Sequence, residues 1–509
     1  MSSLAFPREA APTRSARFSL SAVLSERSSD VLLGVVAVTF AAALLINLPN
    51  EFSVDSWLEL VAGRAVWQTG IPHHDTLTVL AHGATWIDQQ WLSQLASYAL
   101  YLLGGLGLLG LVNVGLFAGA AAGSIVASRR LGAGFRSVLV VLPFCIALIA
   151  PAREVRTQEL AMPLFVGLVY LLARDSRNPS RRVYWCLPIL VLWANLHGTV
   201  TLGAMLVALR GLTIAWERRH ALVHSLAAWR RPAALILGAP AAILLTPYGL
   251  GMIGYYRSTL LGSTLRKTVT EWQPVTSVPV VAAALFIVAG FAIWSFGRNS
   301  TRTTSWERIA LLALAAGSIS VVRNALFFGL FALMILPVSL SLREGAAAAS
   351  SGGRRNVING AIAAVAVLAL VFATAGTLLR PAASIEFAYQ RAGVLRAVQS
   401  ETRSNPSLRV LTDDRFADWL LWRDPALGGH IANDVRYELL NVAQIGRLEN
   451  ALTVGGPSWK QGARGYRLLV LDSNYDSAAV HAFRAESGSR VLYNDGERVV
   501  ILRGAREAA

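Results

Sequence analysis

Runs of apolar residues separated by short basic loops repeat along most of the 509-residue chain. By hydropathy they fall at 30–48, 105–127, 137–151, 158–174, 183–196, 198–215, 232–247, 277–296, 306–321, 324–342 and 358–379. A helix needs roughly 20 apolar residues to cross a hydrocarbon core of about 30 Å. Lipid leaves a spanning segment no partner for its backbone except itself or a closed barrel. The pattern therefore predicts a polytopic α-helical membrane protein of about 11 spans. Shorter runs such as 183–196 predict tilted or half-buried helices.

The polar breaks sort by side. One set carries Arg8, Arg14, Arg17 and Arg27, then Arg129, Arg130 and Arg136, Arg174 to Arg182, Arg218 to Arg231, Arg298 to Arg308, and Arg343 to Arg355. Lysine and arginine gather in cytoplasmic loops, so this set marks the cytoplasm and puts residues 1–29 there as a tail without a cleavable apolar core. The other set comprises the loop 49–104, the turns at 152–157, 197 and 322–323, the loop 248–276 and everything after 379. Within the first of these, 90–103 predicts an interfacial helix with Trp91 and Tyr98 at headgroup depth.

From residue 380 the pattern changes from long apolar runs to short ones. Strand-like pieces at 409–413, 430–434, 467–472, 489–495 and 497–503 alternate with helical stretches at 384–403, around Trp419, at Glu438–Leu448 and at Ser477–Arg484. This predicts a small extracytoplasmic α/β domain over 380–509, after a membrane domain over 30–379. It has no glycine-rich nucleotide loop. The charge of +16 is accounted for by the arginines flanking the spans, so no nucleic-acid partner is implied. Cys145 and Cys186 both lie in apolar runs and suggest neither a disulfide scaffold nor a metal site.

Candidate chemistry sits in the outer loops. Residues 55–91 hold four acids, three histidines, Arg64 and four tryptophans. Asp55, just past the first span, suits a general base or a helix N-cap. Glu59 lies one turn on and shares its face, so the pair could hold a divalent cation, share a proton, or form a solvated face. His73, His74, Asp75 and His82 match no zinc spacing. Trp86, Asp88, Gln89, Gln90 and Trp91 suit a sugar face or an interfacial belt. Arg153, Glu154, Arg156, Gln158 and Glu159 open a span, and Arg323-Asn324 breaks another; such arginines suit a phosphate or internal ion pairs. Asn195 and His197 mark a tight turn with a capping or binding role.

The order D-S-W-L-E-L-V-A-G-R, G-I-P-H-H-D-T, W-I-D-Q-Q-W-L-S, R-T-Q, L-W-A-N-L-H-G, T-P-Y-G, E-W-Q-P, R-N, then T-D-D-R-F-A-D-W-L-L-W and N-D-V-R-Y-E resembles the GT-C superfamily of membrane glycosyltransferases, in particular bacterial protein-mannosyltransferase-like members. The chain departs from that pattern at Glu59, at Gln89-Gln90 and at Thr157. The resemblance implies a polyprenyl-phosphate-linked sugar donor, a glycan, lipid or protein acceptor, and transfer at the outer face of the cytoplasmic membrane. It implies Asp55 as the catalytic acid residue, with Asp88 or Glu59 orienting the acceptor or assisting a metal. Arg156, Arg323 and His197 would hold the donor phosphate, and Arg64, His74, Arg153 and Gln158 complete the expected substrate-binding set. No cofactor is required by this reading, and a divalent cation is left open. The alternative is a carrier of lipid-linked sugars or a membrane scaffold.

Overall fold

The computed structural model describes residues 20–262, 266, 269–340, 352–386 and 392–508. Residues 1–19 of the expected tail, Arg343, and 387–391 of the expected helix 384–403 lie outside the described residues. Each expected apolar run overlaps a helix. The first begins at Leu20 rather than at residue 30, because the polar stretch before the span continues the same helix, Leu20–Asn47.

Among the described residues seven helices are long and apolar enough to cross a membrane, and the protein is a multi-pass membrane protein. The other four expected spans are helices that are too short or too charged to cross alone: Gln158–Arg177, Cys186–Ala194, Arg230–Ala242 and Ser305–Ser320. Burial ranks the spanning helices. The window at Val322–Ser339 is 83% buried and forms the centre of the bundle, whereas that at Val357–Leu378 is 11% buried and turns its apolar side chains outward.

Two features hold the bundle in the register the site requires. At one end of Gln158–Arg177, Asp175 accepts from Arg210 at 3.0 Å with both side chains about 1% exposed, and Arg177 pairs with Glu307 at 2.7 Å. Buried ion pairs of this kind fix geometry more than they add stability. The opposite end of that helix is therefore held where Arg156 enters the site. The second feature is the break in Trp91–Arg130, where Gly104 and Gly105 leave helical geometry and Gly105 takes φ 63° and ψ −162°, a region closed to residues with a Cβ. The helix 91–103 is thus separate from the spanning segment after it.

Residues 410–502 carry a four-stranded sheet: β1 (Val410–Thr412), β2 (Leu468–Asp472), β3 (Arg490–Asn494) and β4 (Arg498–Leu502) in the order β1-β2-β4-β3. β1 and β2 are parallel, and the other pairs are antiparallel. The piece 430–434 is a bridge rather than a strand, and it joins the sheet to the loop 73–86. Val410 N donates to His430 O and Val410 O accepts from Ala432 N, both at 2.9 Å, while Val79 and Leu80 donate to Ile431 and Ala432 at 2.8 and 3.1 Å. Arg436 reinforces the join by pairing with Asp75 and Asp434 while stacking 4.2 Å from the Trp86 ring. The loop 73–86 thereby becomes an edge of the sheet and brings Arg436 and Glu438 over the membrane bundle.

Candidate active site

Helix Val54–Thr69 presents the first acids. Its N-cap is Ser53, so Asp55 lies in the first turn near the positive helix end and is not the cap. Ser56 accepts from Ser53 N at 3.0 Å and donates to Val155 O, tying the helix start to the turn that carries Arg156. The motif at 86–93 grips the turn at 194–197: Gln89 donates to Ala194 O at 2.9 Å, Trp91 to Asn195 at 3.1 Å and Ser93 to Leu196 O at 2.6 Å. Tyr248 donates to Pro72 O at 2.8 Å and accepts from Asp88 N at 3.1 Å, so the T-P-Y-G turn closes the same side.

These segments enclose a cavity of about 180 Å³ lined by Asp55, Glu59, Asp88, Gln89, Gln90, Arg156, Glu271, Trp272, Arg323, Arg436 and Glu438, among others. A second cavity of about 150 Å³ adjoins it, sharing Gln89, Gln90, Tyr255, Thr259, Trp272 and Arg323 and adding His197, Thr199, Leu202, Tyr256 and Leu260. Arg323 stands between the two.

The charges are arranged in layers. Arg156 bonds Asp55 through Nη2 and Glu271 through Nη1, with Glu154 3.7 Å away. Burial works to lower the Arg156 pKa, but Asp55, Glu271 and Glu154 outweigh it and keep the group charged. Burial would likewise raise Glu271, yet Arg156 and Arg323 together hold it below the usual range. Glu59 behaves oppositely. Burial first, then Glu159 and Asp55, lifts it well above the usual range although Thr157 N donates to it. Asp88 is 2% exposed, its Oδ2 has no hydrogen-bond partner among the described residues, and burial lifts it to about 7.

Arg323 is held from behind. Its Nε donates to Gln158 at 3.1 Å and its Nη2 to His197 Nε2 at 3.0 Å. His197 Nδ1 lies 2.8 Å from Thr199 Oγ1, which suits a neutral ring with its proton on Nδ1. Burial, then Arg323 and Arg156, pushes the His197 pKa well down. Arg323 Nη1 comes no closer than 3.7 Å to Glu271, which leaves it facing the cavities.

Of the expected site residues, Asp55, Glu59, Asp88, Arg156, His197 and Arg323 line one or both cavities, and Gln158 supports Arg323. Three lie elsewhere. Arg64 donates to Leu421 O and Trp422 O at 2.8 and 3.0 Å and stacks on Trp422, clamping helix 54–69 to helix Asp414–Arg423. Arg153 pairs with Glu51 at 2.9 Å outside the cavity. His74 is exposed and bridges Thr85 in the loop hairpin. Glu271 was not expected in the site, although its E-W-Q-P motif precedes a span on the side of Asp55. Glu438 is brought in only by the loop-to-sheet join.

Among the described residues no group of three His, Cys, Asp or Glu is arranged to hold a metal. The carboxylates Asp55, Glu154 and Glu271 surround a guanidinium, so the donor set as arranged does not fit a divalent cation.

Among solved structures the chain is similar to the archaeal oligosaccharyltransferase AglB from Archaeoglobus fulgidus, solved with an inhibitory peptide and a dolichol-phosphate. The identity is 13% and the TM-score 0.50, over 92% of this chain and 74% of that one. It is also similar to ArnT from Cupriavidus metallidurans in the apo state, at 15% identity and TM-score 0.49 over 94% and 98% of the two chains. A third is the arabinofuranosyltransferase AftD from Mycobacteria, at 14% and 0.45 over 92% and 41%. No family model and no curated protein matches the sequence. At such identities the likeness is one of fold alone: the chain shares its fold with AglB.

Proposed function

We propose that this protein is an inverting membrane glycosyltransferase that moves a sugar from a polyprenyl-phosphate donor to a cell-envelope acceptor at the outer face of the cytoplasmic membrane. In this reading all 11 expected runs belong to the membrane domain, the amino terminus is cytoplasmic and residues 380–509 lie outside. The observation that carries it is the meeting of Asp55, Arg156, His197, Glu271 and Arg323, far apart in sequence, around adjoining cavities. A dolichol-phosphate accompanies AglB, whose fold the chain shares, and a donor of that class suits Arg323.

The chemistry follows from the layering. The donor phosphate binds at the Nη1 side of Arg323, beside the more apolar cavity. Arg323 offers forked, charge-assisted bonds whose strength grows as negative charge builds on the leaving phosphate. Neutral His197 accepts from Arg323 without competing for the phosphate. Arg156 bonds Oδ2 of Asp55, which leaves Oδ1 for the acceptor hydroxyl. Asp55 takes the hydroxyl proton as the oxygen attacks the anomeric carbon, and the polyprenyl phosphate departs on the opposite face. Asp88 and Gln90 line the acceptor side and orient its hydroxyls. Arg156 is assigned to holding Asp55 and Glu271 rather than to the donor phosphate.

The Asp55–Arg156 pairing also favours a second reading, a scaffold or lipid-linked-sugar carrier whose polar groups are satisfied internally. The two readings separate on product. Purified protein is given a labelled polyprenyl-phosphate sugar and a crude envelope acceptor fraction. A transferase releases free polyprenyl phosphate in step with labelled acceptor; a carrier binds the donor and returns it intact.

A further inference from the structure

Three carboxylates from three separate segments face one guanidinium: Asp55 from helix 54–69, Glu154 from the turn before Gln158, and Glu271 from Thr270–Trp272. Carboxylates gathered in a partly buried site repel one another unless a cation stands between them. The cation here is the Arg156 guanidinium, 15% exposed, bonded to Asp55 and Glu271 and 3.7 Å from Glu154. Its backbone is fixed from both sides. Arg156 N donates to Glu159 at 3.0 Å, and Val155 N donates to Glu51 O at 2.8 Å.

We infer that Arg156 is the resident cation of this site, standing where a divalent ion would otherwise be needed to hold Asp55, Glu154 and Glu271 together. Arg156 is thus a positioning residue: it aims Asp55 through Oδ2 while leaving Oδ1 open. The site needs no added metal, because the guanidinium both supplies the charge and fills the space. A planar fork also fixes direction, which a spherical ion does not.

The inference deepens the transferase reading, but its test reads cation binding rather than sugar transfer, so the two fail separately. Purified full-length wild type, Arg156→Gly and Arg156→Gly with Glu271→Gln are titrated with Mn²⁺ alone, and free Mn²⁺ is followed by electron paramagnetic resonance. The wild type should show no saturable site. Arg156→Gly, with its carboxylates vacated, should bind about one Mn²⁺ per chain through oxygen ligands, and the added Glu271→Gln should weaken that binding at least tenfold. A folded Arg156→Gly protein that binds no Mn²⁺ would overturn the inference.

A second measurement covers the case in which Arg156→Gly does not fold. Thermal unfolding of the wild type should be the same in Mn²⁺ and in chelator, since a ligand that binds the native state raises the midpoint. A midpoint raised by Mn²⁺ in the wild type but not in Asp55→Asn would place a metal in the site and overturn the inference.

Discussion

Replacing Arg323 with Met keeps most of the side-chain volume and removes the guanidinium. The structure gives two consequences. Behind Arg323, Gln158 Oε1 loses a donor at 3.1 Å and His197 Nε2 loses one at 3.0 Å. A buried acceptor left unsatisfied costs about 1–3 kcal/mol, so the thermal midpoint should fall measurably. In front, the donor phosphate loses a charge-assisted bond worth about 1.5–3 kcal/mol, which corresponds to roughly a ten- to 150-fold loss in kcat/KM. Charge on the phosphate grows during transfer, so the loss should fall more on kcat than on KM. Arg323→Lys keeps a charge but cannot serve Gln158, His197 and a phosphate together, and should lie between wild type and Met. The assay is sugar transfer across a donor concentration series, with unfolding measured on the same preparations. A Met variant that unfolds earlier yet keeps kcat/KM within about twofold would refute the donor role, since a loss of roughly tenfold or more is expected.

Asp88 titrates near neutrality because burial lifts it to about 7. Once ionised it accepts from an acceptor hydroxyl far more strongly than the neutral acid does, so kcat/KM should rise with pH through about 7 in wild type, and Asp88→Asn should lack that limb; identical profiles would remove Asp88 from the acceptor side. Glu59 has a folded-state pKa raised by burial, so the native state holds its proton longer than the unfolded chain. That contribution is fully present below the unfolded value of about 4.3 and is lost as pH climbs through the raised folded value. Glu59→Gln should therefore flatten the fall in thermal midpoint with pH, and parallel curves for the two proteins would contradict this. Gly63 packs helix 54–69 onto helix 91–103, and an added Cβ would meet Gln94 O and lie 2.9 Å from Tyr98 Cβ. Gly63→Ala should cost about 1–3 kcal/mol by overpacking and displace Asp55, lowering both midpoint and transfer; unchanged values would show that the two helices separate without effect on the site.

The membrane architecture was legible because hydropathy is local. Each apolar run announces a helix, and the basic loops sort the polar breaks. That sorting put the turns at 152–157, 197 and 322–323 on the side of Asp55, and those turns deliver Arg156, His197 and Arg323 to the cavities. Partner choice was not legible. Arg64, Arg153 and His74 have the same chemistry as the residues that line the cavity, but their partners are Trp422, Glu51 and Thr85. Nothing in the sequence distance between Arg64 and Trp422 signals that clamp. The piece 430–434 has the short apolar run of a strand, yet it pairs on one side with a loop rather than with a regular strand. Glu271 escaped notice because a single acid before a span looks like ordinary flanking sequence until Arg156 and Arg323 are seen on either side of it.

The central claim is that Asp55 carries out proton removal in a transfer from a lipid-linked sugar. Its most direct test is sugar transfer from labelled polyprenyl-phosphate sugars in membranes holding wild type or Asp55→Asn at matched expression. The account predicts transfer by wild type and a loss of about a hundredfold or more in the variant, the scale of a missing general base. Equal transfer by both proteins would contradict it.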